Sequence, residues 1–231
     1  MQYTILAADD EVEILDALQL YMQKEGFELI TAPTGAAALA LFEKHEVHMV
    51  LLDVMMPEID GFSVLRKIRE TSTIPAIMIS ARDADYDKIL GLELGADDYI
   101  AKPFNPLEVV ARVKAQLRRR YAYTSSDENS EEKIIQHKNL SLNMAEGIIT
   151  KDNQEIPLTA TEFKLLALFI KNPGRIYTRR QLYEFVWEDP FYEDDSTVIV
   201  HLSNIRNKIE DDPKKPTFIR TIKGLGYKME K

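Results

Sequence analysis

The sequence contains no cysteine and no long apolar run. Without cysteine there is no disulfide framework and no thiolate chemistry, which fits a reducing compartment. No apolar run approaches the roughly 18 residues that a membrane helix needs. Acidic residues stand at positions 9, 10, 11 and 13, so we expect no signal peptide and a cytoplasmic protein.

An excess of positive charge is also missing, since the formal net charge is −9. Residues 1–134 hold 14 Lys and Arg against 24 Asp and Glu, whereas residues 135–231 hold 15 against 14. The acidic first part should repel nucleic acid, while the second part can approach it if its bases cluster on one face. A chain of 231 residues is long enough for two domains, each with its own core.

Apolar runs alternate with helical patterns five times in the first part of the chain. The strand-like runs are residues 3–8, 27–31, 47–52, 76–79 and 99–101. Between and after them, apolar residues recur at helical spacing, as at Leu15 and Leu18. Repeated strand–helix units indicate a parallel sheet with helices on both sides. Five units predict a flavodoxin-like, doubly wound α/β fold with its pocket between strands 1 and 3.

The third of these runs ends on a carboxylate. Residues 49–52 have the composition of a strand buried on both faces, and Asp53 follows them directly. Pro57 and Gly61 then exclude further regular strand. Because the chemistry of such sheets lies just beyond the carboxyl ends of the strands, Asp53 stands at the expected site.

Polar residues that follow three other strands would meet Asp53 at the same edge. Asp9 and Asp10 follow the first strand, Ser80 the fourth and Lys102 the fifth. Three close carboxylates need a cation to stay ionised, and oxygen-only ligands favour Mg²⁺. The metal and Lys102 would neutralise a phosphoryl group under attack by an oxygen of Asp53. Taken singly, each residue is more often a cap, a turn residue or a surface lysine, so the joint placement carries the hypothesis.

The first part resembles the receiver domain of two-component response regulators, which has a CheY-like fold. The residues that carry the resemblance are Asp9-Asp10, Asp53 with Met56-Pro57 and Gly61, Ser80-Ala81, and Lys102-Pro103-Phe104. It implies that a sensor histidine kinase phosphorylates Asp53. It also implies that Asp10, Asp53 and the Met55 carbonyl hold Mg²⁺, with Asp9 acting mainly through water.

The same resemblance assigns the remaining roles in this pocket. Lys102 would pair with the phosphoryl group and precede a cis proline bond. Ser80 would be the switch hydroxyl, and Tyr99 the aromatic residue that moves inward behind it. Such a domain catalyses only its own Mg²⁺-dependent phosphorylation and dephosphorylation, so we do not expect an enzyme in the usual sense.

A charged face formed by the fourth helix, the fifth strand and the fifth helix resembles the dimer face of one response-regulator subfamily. The analogy pairs Lys88 with Glu108, Asp97 with Arg112, and Asp98 with Arg119 across a homodimer that forms on phosphorylation. The alternative is a solvated charged face without a partner. Exposed ion pairs contribute only about 0.2–1 kcal/mol each, so such a dimer would be sensitive to salt.

The second part has the pattern of a small α+β domain. Residues 121–133 are polar and acidic and predict a flexible linker between a domain at 1–120 and another at 134–231. The pattern predicts an antiparallel sheet at 134–157 and a hairpin at 217–229. Between them it predicts three helices: one capped by Thr159 and Glu162, one capped by Thr178, and one at 196–209. Three short helices and a hairpin indicate a winged helix-turn-helix.

This part resembles the DNA-binding domain of the OmpR/PhoB subfamily. The resemblance rests on residues 163–168, Asn172-Pro173-Gly174, Val186-Trp187, Val200-His201, Ile205-Arg206 and Gly226-Tyr227. On the third helix, Val198, Leu202, Ile205 and Ile209 would face the core. The residues expected to contact promoter DNA are Ser196, Val200, His201, Ser203, Asn204, Arg206 and Asn207, with Arg220 and Lys223 in the wing.

These residues predict the kind of DNA site. Relatives often carry arginine where this chain has Ser196, Ser203 and Asn204, and Asp where it has Ile199. Asparagine can bind adenine bidentately, and Val200 could touch a thymine methyl group. We therefore expect an A·T-leaning half-site, weak binding by the monomer and tighter binding by the dimer.

Two other functions remain to be weighed against a phosphorylation-dependent transcriptional regulator. A phosphatase with Asp53 as nucleophile usually has a second carboxylate two residues later, and Met55 stands there instead. A regulator that is never phosphorylated could keep the first domain only for dimerisation. The complete set of Asp9, Asp10, Asp53, Ser80 and Lys102 disfavours that third reading.

Overall fold

The computed structural model describes residues 3–80, 85–121, 134–187 and 196–231, with only the backbone of Asp85, Tyr86 and Arg119. The chain divides into two compact units, Met1–Leu117 and Arg118–Lys231. Within the described ranges, no helix has the length and apolar character needed to cross a membrane.

The first unit is a five-stranded parallel sheet covered by helices. Its strands are β1 (Thr4–Ala8), β2 (Glu28–Ala32), β3 (Met49–Asp53), β4 (Ala76–Ser80) and β5 (Asp98–Ala101), in the order β2-β1-β3-β4-β5. The helices are α1 (Val12–Lys24), α2 (Gly35–Lys44), α3 (Gly61–Arg69), α4 (Asp85–Glu93) and α5 (Pro106–Tyr121). This is the predicted flavodoxin-like topology, and β3 is buried along its whole length.

Periodic apolar residues fix how the helices sit on this sheet. Leu15, Leu18 and Met22 form the buried side of α1, and Val109 and Val113 belong to that of α5. Asp60 begins α3, because its carboxylate accepts a hydrogen bond from Ser63 N at 2.7 Å. The loops that follow the strands are thereby held at the carboxyl edge of the sheet.

The second unit has two antiparallel sheets and three helices. The first sheet contains β6 (Ile134–His137), β7 (Leu140–Asn143), β8 (Ile148–Lys151) and β9 (Gln154–Ile156). The helices are α6 (Ala160–Lys171), α7 (Arg179–Trp187) and α8 (Thr197–Ile209). The second sheet contains β10 (Ile176–Tyr177), β11 (Ile219–Ile222) and β12 (Gly226–Met229), in the order β10-β12-β11. The result is the predicted winged-helix arrangement.

Two predicted helix caps are present in this unit. Thr159 and Glu162 exchange hydrogen bonds at the start of α6, and Thr178 and Gln181 do so at the start of α7. The core of the unit lies between the three helices and both sheets and includes Leu165, Phe169 and Trp187. Strand β10 was not predicted, since two residues are too few to show an alternating pattern.

The predicted linker cannot be compared with the structure. Tyr121 is the last residue of α5, and the rest of the linker, residues 122–133, lies outside the described ranges. The domain limits at 120 and 134 therefore stay predictions.

Candidate functional site

Parallel register brings the polar residues of four strands to one edge of the first sheet. Ala8 pairs with Leu52, so Asp9, which follows Ala8, lies beside Asp53. Ser80 pairs with Ala101, which precedes Lys102. The order β1-β3-β4-β5 thus sets these side chains next to one another at the carboxyl ends of the strands.

Lys102 is the centre of the acidic cluster. Its Nζ lies 2.8 Å from Asp9 Oδ2, 2.9 Å from Glu11 Oε1 and 3.2 Å from Asp53 Oδ1. An ammonium group has three N–H donors, and here three carboxylates surround it. The peptide bond between Lys102 and Pro103 is cis, as the sequence resemblance implied.

Backbone amides orient the two buried carboxylates. Glu11 N donates to Asp9 Oδ1 at 3.0 Å, and Met55 N donates to Asp53 Oδ2 at 3.1 Å. The chain returns close to Asp53 at Gly61, where an added Cβ would lie 2.1 Å from the Asp53 carbonyl oxygen. Only glycine permits that approach, which explains Gly61 at the end of the loop.

Burial changes the acid–base properties of the cluster. Asp9 and Asp53 are each about 2% exposed, and burial raises the pKa of both carboxyls above the ordinary 3.8. The charge of Asp9 raises the pKa of Asp53 further, while Lys102 opposes the rise in both. Burial by itself would lower the pKa of Lys102, but its hydrogen bonds to Asp9 and Glu11 outweigh that effect and raise it. Lys102 is therefore positively charged at neutral pH.

The acidic residues have the arrangement of a metal site. Asp9, Asp10 and Asp53 each offer one oxygen within 4.8 Å of the others, and Asp10 is exposed to solvent. Asp9 Oδ2 and Asp53 Oδ1 are buried, and Lys102 Nζ is the charged group that lies against both of them. Each carboxylate oxygen has more than one lone pair, so these hard, oxygen-only donors can also fit a divalent ion such as Mg²⁺. The donor set therefore fits the expected metal.

The other predicted pocket residues lie around this cluster. Ser80 is fully buried at the end of β4. Tyr99 is half-buried in β5 and packs against the core cluster of the first unit. Met55, whose carbonyl was assigned to the metal, has an exposed side chain.

On the predicted dimer face, one residue is placed differently. Asp97 is fully buried and lies 3.4 Å from Arg69 Nη2, while its Oδ2 accepts a hydrogen bond from Ala76 N at 3.0 Å. Asp97 thus has buried partners within its own chain, and the predicted pairing with Arg112 across a dimer would require it to leave them. Position 97 begins the turn into β5 and points its carboxylate at the neighbouring strand.

Arg112 has its partners within its own chain. Its Nη1 lies 2.8 Å from Asp98 Oδ2 and its Nη2 3.0 Å from Glu108 Oε1. Lys88 is half-buried on α4. The side chain of Arg119 lies outside the described part of the chain, so its predicted pairing with Asp98 stays untested.

In the second unit, two predicted DNA contacts on α8 are buried. Val200 is 6% and His201 1% exposed, so neither lies on an open surface. The His201 ring packs 5.4 Å from the ring of Trp187 in α7. The helical projection placed the core face correctly at Val198, Leu202, Ile205 and Ile209, but it left out α7, which covers a second side of the helix.

The remaining predicted DNA contacts fall into two groups. Ser203 and Asn207 are exposed, and Ser196 and Asn204 are half-buried. In the wing, Arg220 and Lys223 are exposed.

Arg206, by contrast, is bonded to the wing, which is the hairpin of β11 and β12. Its Nε and Nη2 donate to the carbonyl of Ile219 at 3.0 and 2.8 Å, and Nη2 also donates to Thr221 Oγ1 at 3.0 Å. The guanidinium thus links α8 to β11. A contact of Arg206 with DNA would have to compete with these bonds.

Two residues of structural importance were not predicted from the sequence. Glu11 contacts Lys102, and its only signal was its position directly after Asp9 and Asp10. Glu210 is buried and accepts hydrogen bonds from the backbone of Thr217, Phe218 and Ile219. A lone glutamate after a helix gives no sequence signal for that role.

Comparisons with known proteins agree with both halves of the structure. The family model for the response regulator receiver domain matches residues 5–114. The family model for the C-terminal domain of transcriptional regulatory proteins matches residues 153–229. The chain is 42% identical over 224 residues to the uncharacterized transcriptional regulatory protein YcbL of Bacillus subtilis (strain 168), covering 97% of this chain and 99% of that protein. It is 41% identical over 233 residues to the regulatory protein VanRc of Enterococcus gallinarum, covering 100% of both.

A solved structure shows the same arrangement of domains along the chain. The response regulator DrrB, a Thermotoga maritima OmpR/PhoB homologue, is 33% identical, with a TM-score of 0.53 and coverage of 100% of both chains.

Proposed function

Because the chain belongs to the OmpR/PhoB subfamily of two-component response regulators, we propose that it is a transcriptional regulator controlled by phosphorylation of Asp53. The observation that carries this proposal is the cluster at the sheet edge, in which Lys102 Nζ lies 2.8 Å from Asp9 and 3.2 Å from Asp53. The partner that supplies the phosphoryl group is a sensor histidine kinase. The target of the regulator is promoter DNA, so the protein acts in the cytoplasm.

The residues divide the chemistry of phosphoryl transfer between them. An oxygen of Asp53 forms the bond to phosphorus while the bond from phosphorus to the donor's histidine nitrogen breaks. Met55 N holds the other carboxylate oxygen, which leaves Asp53 Oδ1 facing Lys102. The ammonium of Lys102 neutralises negative charge on the transferred group.

Asp9, Asp10 and Asp53 would hold Mg²⁺, which supplies further positive charge at the phosphoryl oxygens. The buried carboxylates of Asp9 and Asp53 repel each other, and the single positive charge of Lys102 balances only part of the negative charge of the cluster. A divalent ion would balance the remainder. Autodephosphorylation follows from the same residues, since they can also position water.

Phosphorylation is communicated through Ser80 and Tyr99. Ser80 is fully buried beside the cluster, so its hydroxyl can donate to a phosphoryl oxygen only after a local shift. Tyr99 is half-buried next to β4 and can fill the space that Ser80 leaves. The face of α4, β5 and α5 then forms the homodimer, for which Lys88, Asp98, Glu108, Arg112 and Arg119 remain candidates.

A mass measurement tests the phosphorylation step. The full-length protein is incubated with acetyl phosphate and Mg²⁺, and we expect a labile gain of about 80 Da, the mass of one phosphoryl group. Asp53→Asn should abolish the gain, whereas Asp16→Asn, which removes an exposed carboxylate of α1, should retain it. No mass gain in the wild type, or an equal gain in Asp53→Asn, would exclude Asp53 as the acceptor and leave a regulator that is not phosphorylated there.

A further inference from the structure

Helix α8 presents one outward row of side chains. Ile199, Ser203 and Asn207 are exposed and stand four residues apart, so they lie above one another on the same face. Ile199 is 42% exposed and is the large aliphatic residue that α8 exposes to solvent. It is the third residue of the helix, one turn after the N-cap residue Ser196.

The cations near this row are paired with other groups of the second unit. Arg206 donates three hydrogen bonds to Ile219 and Thr221 of β11. Lys208 Nζ lies 2.6 Å from Glu162 Oε2, the carboxylate that also caps α6. An arginine in this row would select guanine, but the exposed residues here are an isoleucine, a serine and an asparagine.

We propose that Ile199 determines base specificity by packing against the 5-methyl group of a thymine in the major groove. This inference rests on the proposed DNA-binding function of α8. Residues at the N-terminal end of a recognition helix contact base edges, and Ile199 is the apolar residue that α8 exposes there. Apolar side chains distinguish thymine from the other bases through its methyl group.

The assignment moves the thymine contact from Val200 to Ile199. Val200 is 6% exposed and sits on the side of α8 that packs within the unit, so it offers a base far less accessible surface than Ile199 does. Ile199 projects about 100° away around the helix axis, and a base edge can reach its side chain directly. Two neighbouring residues of α8 thus have different roles: Val200 belongs to the core, and Ile199 contacts the base.

Replacing thymine by deoxyuridine removes the methyl group and leaves every hydrogen-bonding group of the base in place. A half-site is first selected from random DNA by the full-length wild-type protein, and each thymine is then replaced in turn. We expect one replacement to weaken binding about fourfold, the effect of one buried methyl group. In the Ile199→Ala variant that difference should disappear, because the packing partner is gone.

Ile134→Ala is the matched control, since it makes the same change at an exposed isoleucine of β6 outside the predicted DNA contacts and should retain the fourfold difference at the same thymine. Circular dichroism checks that Ile199→Ala is folded, which its exposed position favours. Equal affinity for thymine and deoxyuridine at every position, or an unchanged preference in Ile199→Ala, would overturn the assignment alone. Failure of the wild type to select any sequence would overturn the proposed DNA binding, and this assignment with it.

Discussion

Glu11 Oε1 lies 2.9 Å from Lys102 Nζ, so the ammonium that is to pair with the phosphoryl group on Asp53 already has three carboxylate partners. Lys102 must exchange one of them when a phosphoryl group arrives. Glu11 is the easiest to release, because its side chain is 59% exposed while those of Asp9 and Asp53 are buried. In the unphosphorylated site, Glu11 thus competes with the phosphoryl group for Lys102, and water can solvate its carboxylate once it is released.

We therefore predict that Glu11→Gln accelerates phosphorylation of Asp53 by acetyl phosphate. The substitution removes both the competing carboxylate and a negative charge that repels the incoming phosphate. An exposed ion pair is worth about 0.2–1 kcal/mol, which corresponds to a rate increase between about 1.5-fold and fivefold. The rate is measured as the growth of the phosphorylated mass with time. Glu13→Gln, an exposed carboxylate of the same helix turn, is the control, and a slower reaction in Glu11→Gln would contradict the prediction.

The raised pKa of Asp53 has a consequence for stability. A group with a folded pKa above its unfolded value binds protons more tightly when folded, so the free energy of unfolding falls as pH rises between the two values. Above the folded pKa, the ionised carboxylate of Asp53 lowers the free energy of unfolding by an amount that no longer changes with pH. Asp53→Asn removes that cost and should stabilise the receiver at pH 7 in EDTA, with a rise in unfolding temperature on the order of 4 °C.

The pH dependence checks the cause of this effect. The advantage of Asp53→Asn should shrink as pH falls through the raised pKa of Asp53 toward the unfolded value of 3.8, because the wild-type carboxyl then takes up its proton. Mg²⁺ should stabilise the wild type and have less effect on the variant. Thermal unfolding at several pH values measures both. An advantage that grows toward low pH would contradict the direction of the pKa shift.

Asp97 is predicted to act on stability rather than on dimerisation. Its buried carboxylate contacts Arg69 and Ala76 N, so Asp97→Ala removes the negative charge beside the guanidinium and the acceptor of a buried amide. Removing one member of a buried pair costs about 3 kcal/mol or more. Urea unfolding of the receiver measures the loss, and Glu108→Ala on the exposed side should cost less than about 1 kcal/mol. If Asp97→Ala were as stable as the wild type, its buried contacts would not matter.

Local patterns were sufficient to predict the receiver and its pocket. Strands such as β3 are apolar along their whole length, and the order of strands fixes which residues meet at the carboxyl edge. Asp9, Asp53 and Lys102 could therefore be placed together before any distance was known. Glu11 could not, because its contact with Lys102 depends on the direction of one exposed side chain.

The burial of Val200 and His201 on α8 and the burial of Asp97 were not foreseen for the same reason. A helical projection assumes one buried face, whereas α8 also packs Val200 and His201 away from solvent, with His201 against Trp187. The resemblance to one subfamily placed Asp97 on a dimer face, but Arg69, 28 residues earlier in the chain, provides a buried partner. In each case the decisive partner belongs to another element, and spacing along the sequence carries no information about it.

Glu210 is the clearest case of such a partner, and we predict that it holds the wing to α8. Its carboxylate accepts hydrogen bonds from Thr217 N at 2.6 Å, Phe218 N at 2.9 Å and Ile219 N at 3.0 Å. Hydrogen bonds to a charged group contribute about 1.5–3 kcal/mol, so Glu210→Ala should lower the free energy of unfolding by about 3 kcal/mol or more. Glu210→Gln keeps one acceptor oxygen and should lose less.

Fluorescence of Trp187 during urea unfolding measures this change in the full-length protein, because Trp187 is the chain's single tryptophan and lies buried in the second unit. Glu155→Ala, an exposed glutamate of β9, should leave the transition unchanged. Since Arg206 also binds Ile219, loosening β11 in Glu210→Ala should weaken DNA binding by a similar factor for all sequences. A loss of affinity confined to one base position would instead mean that Glu210 acts on the base contacts of α8 and not on the wing.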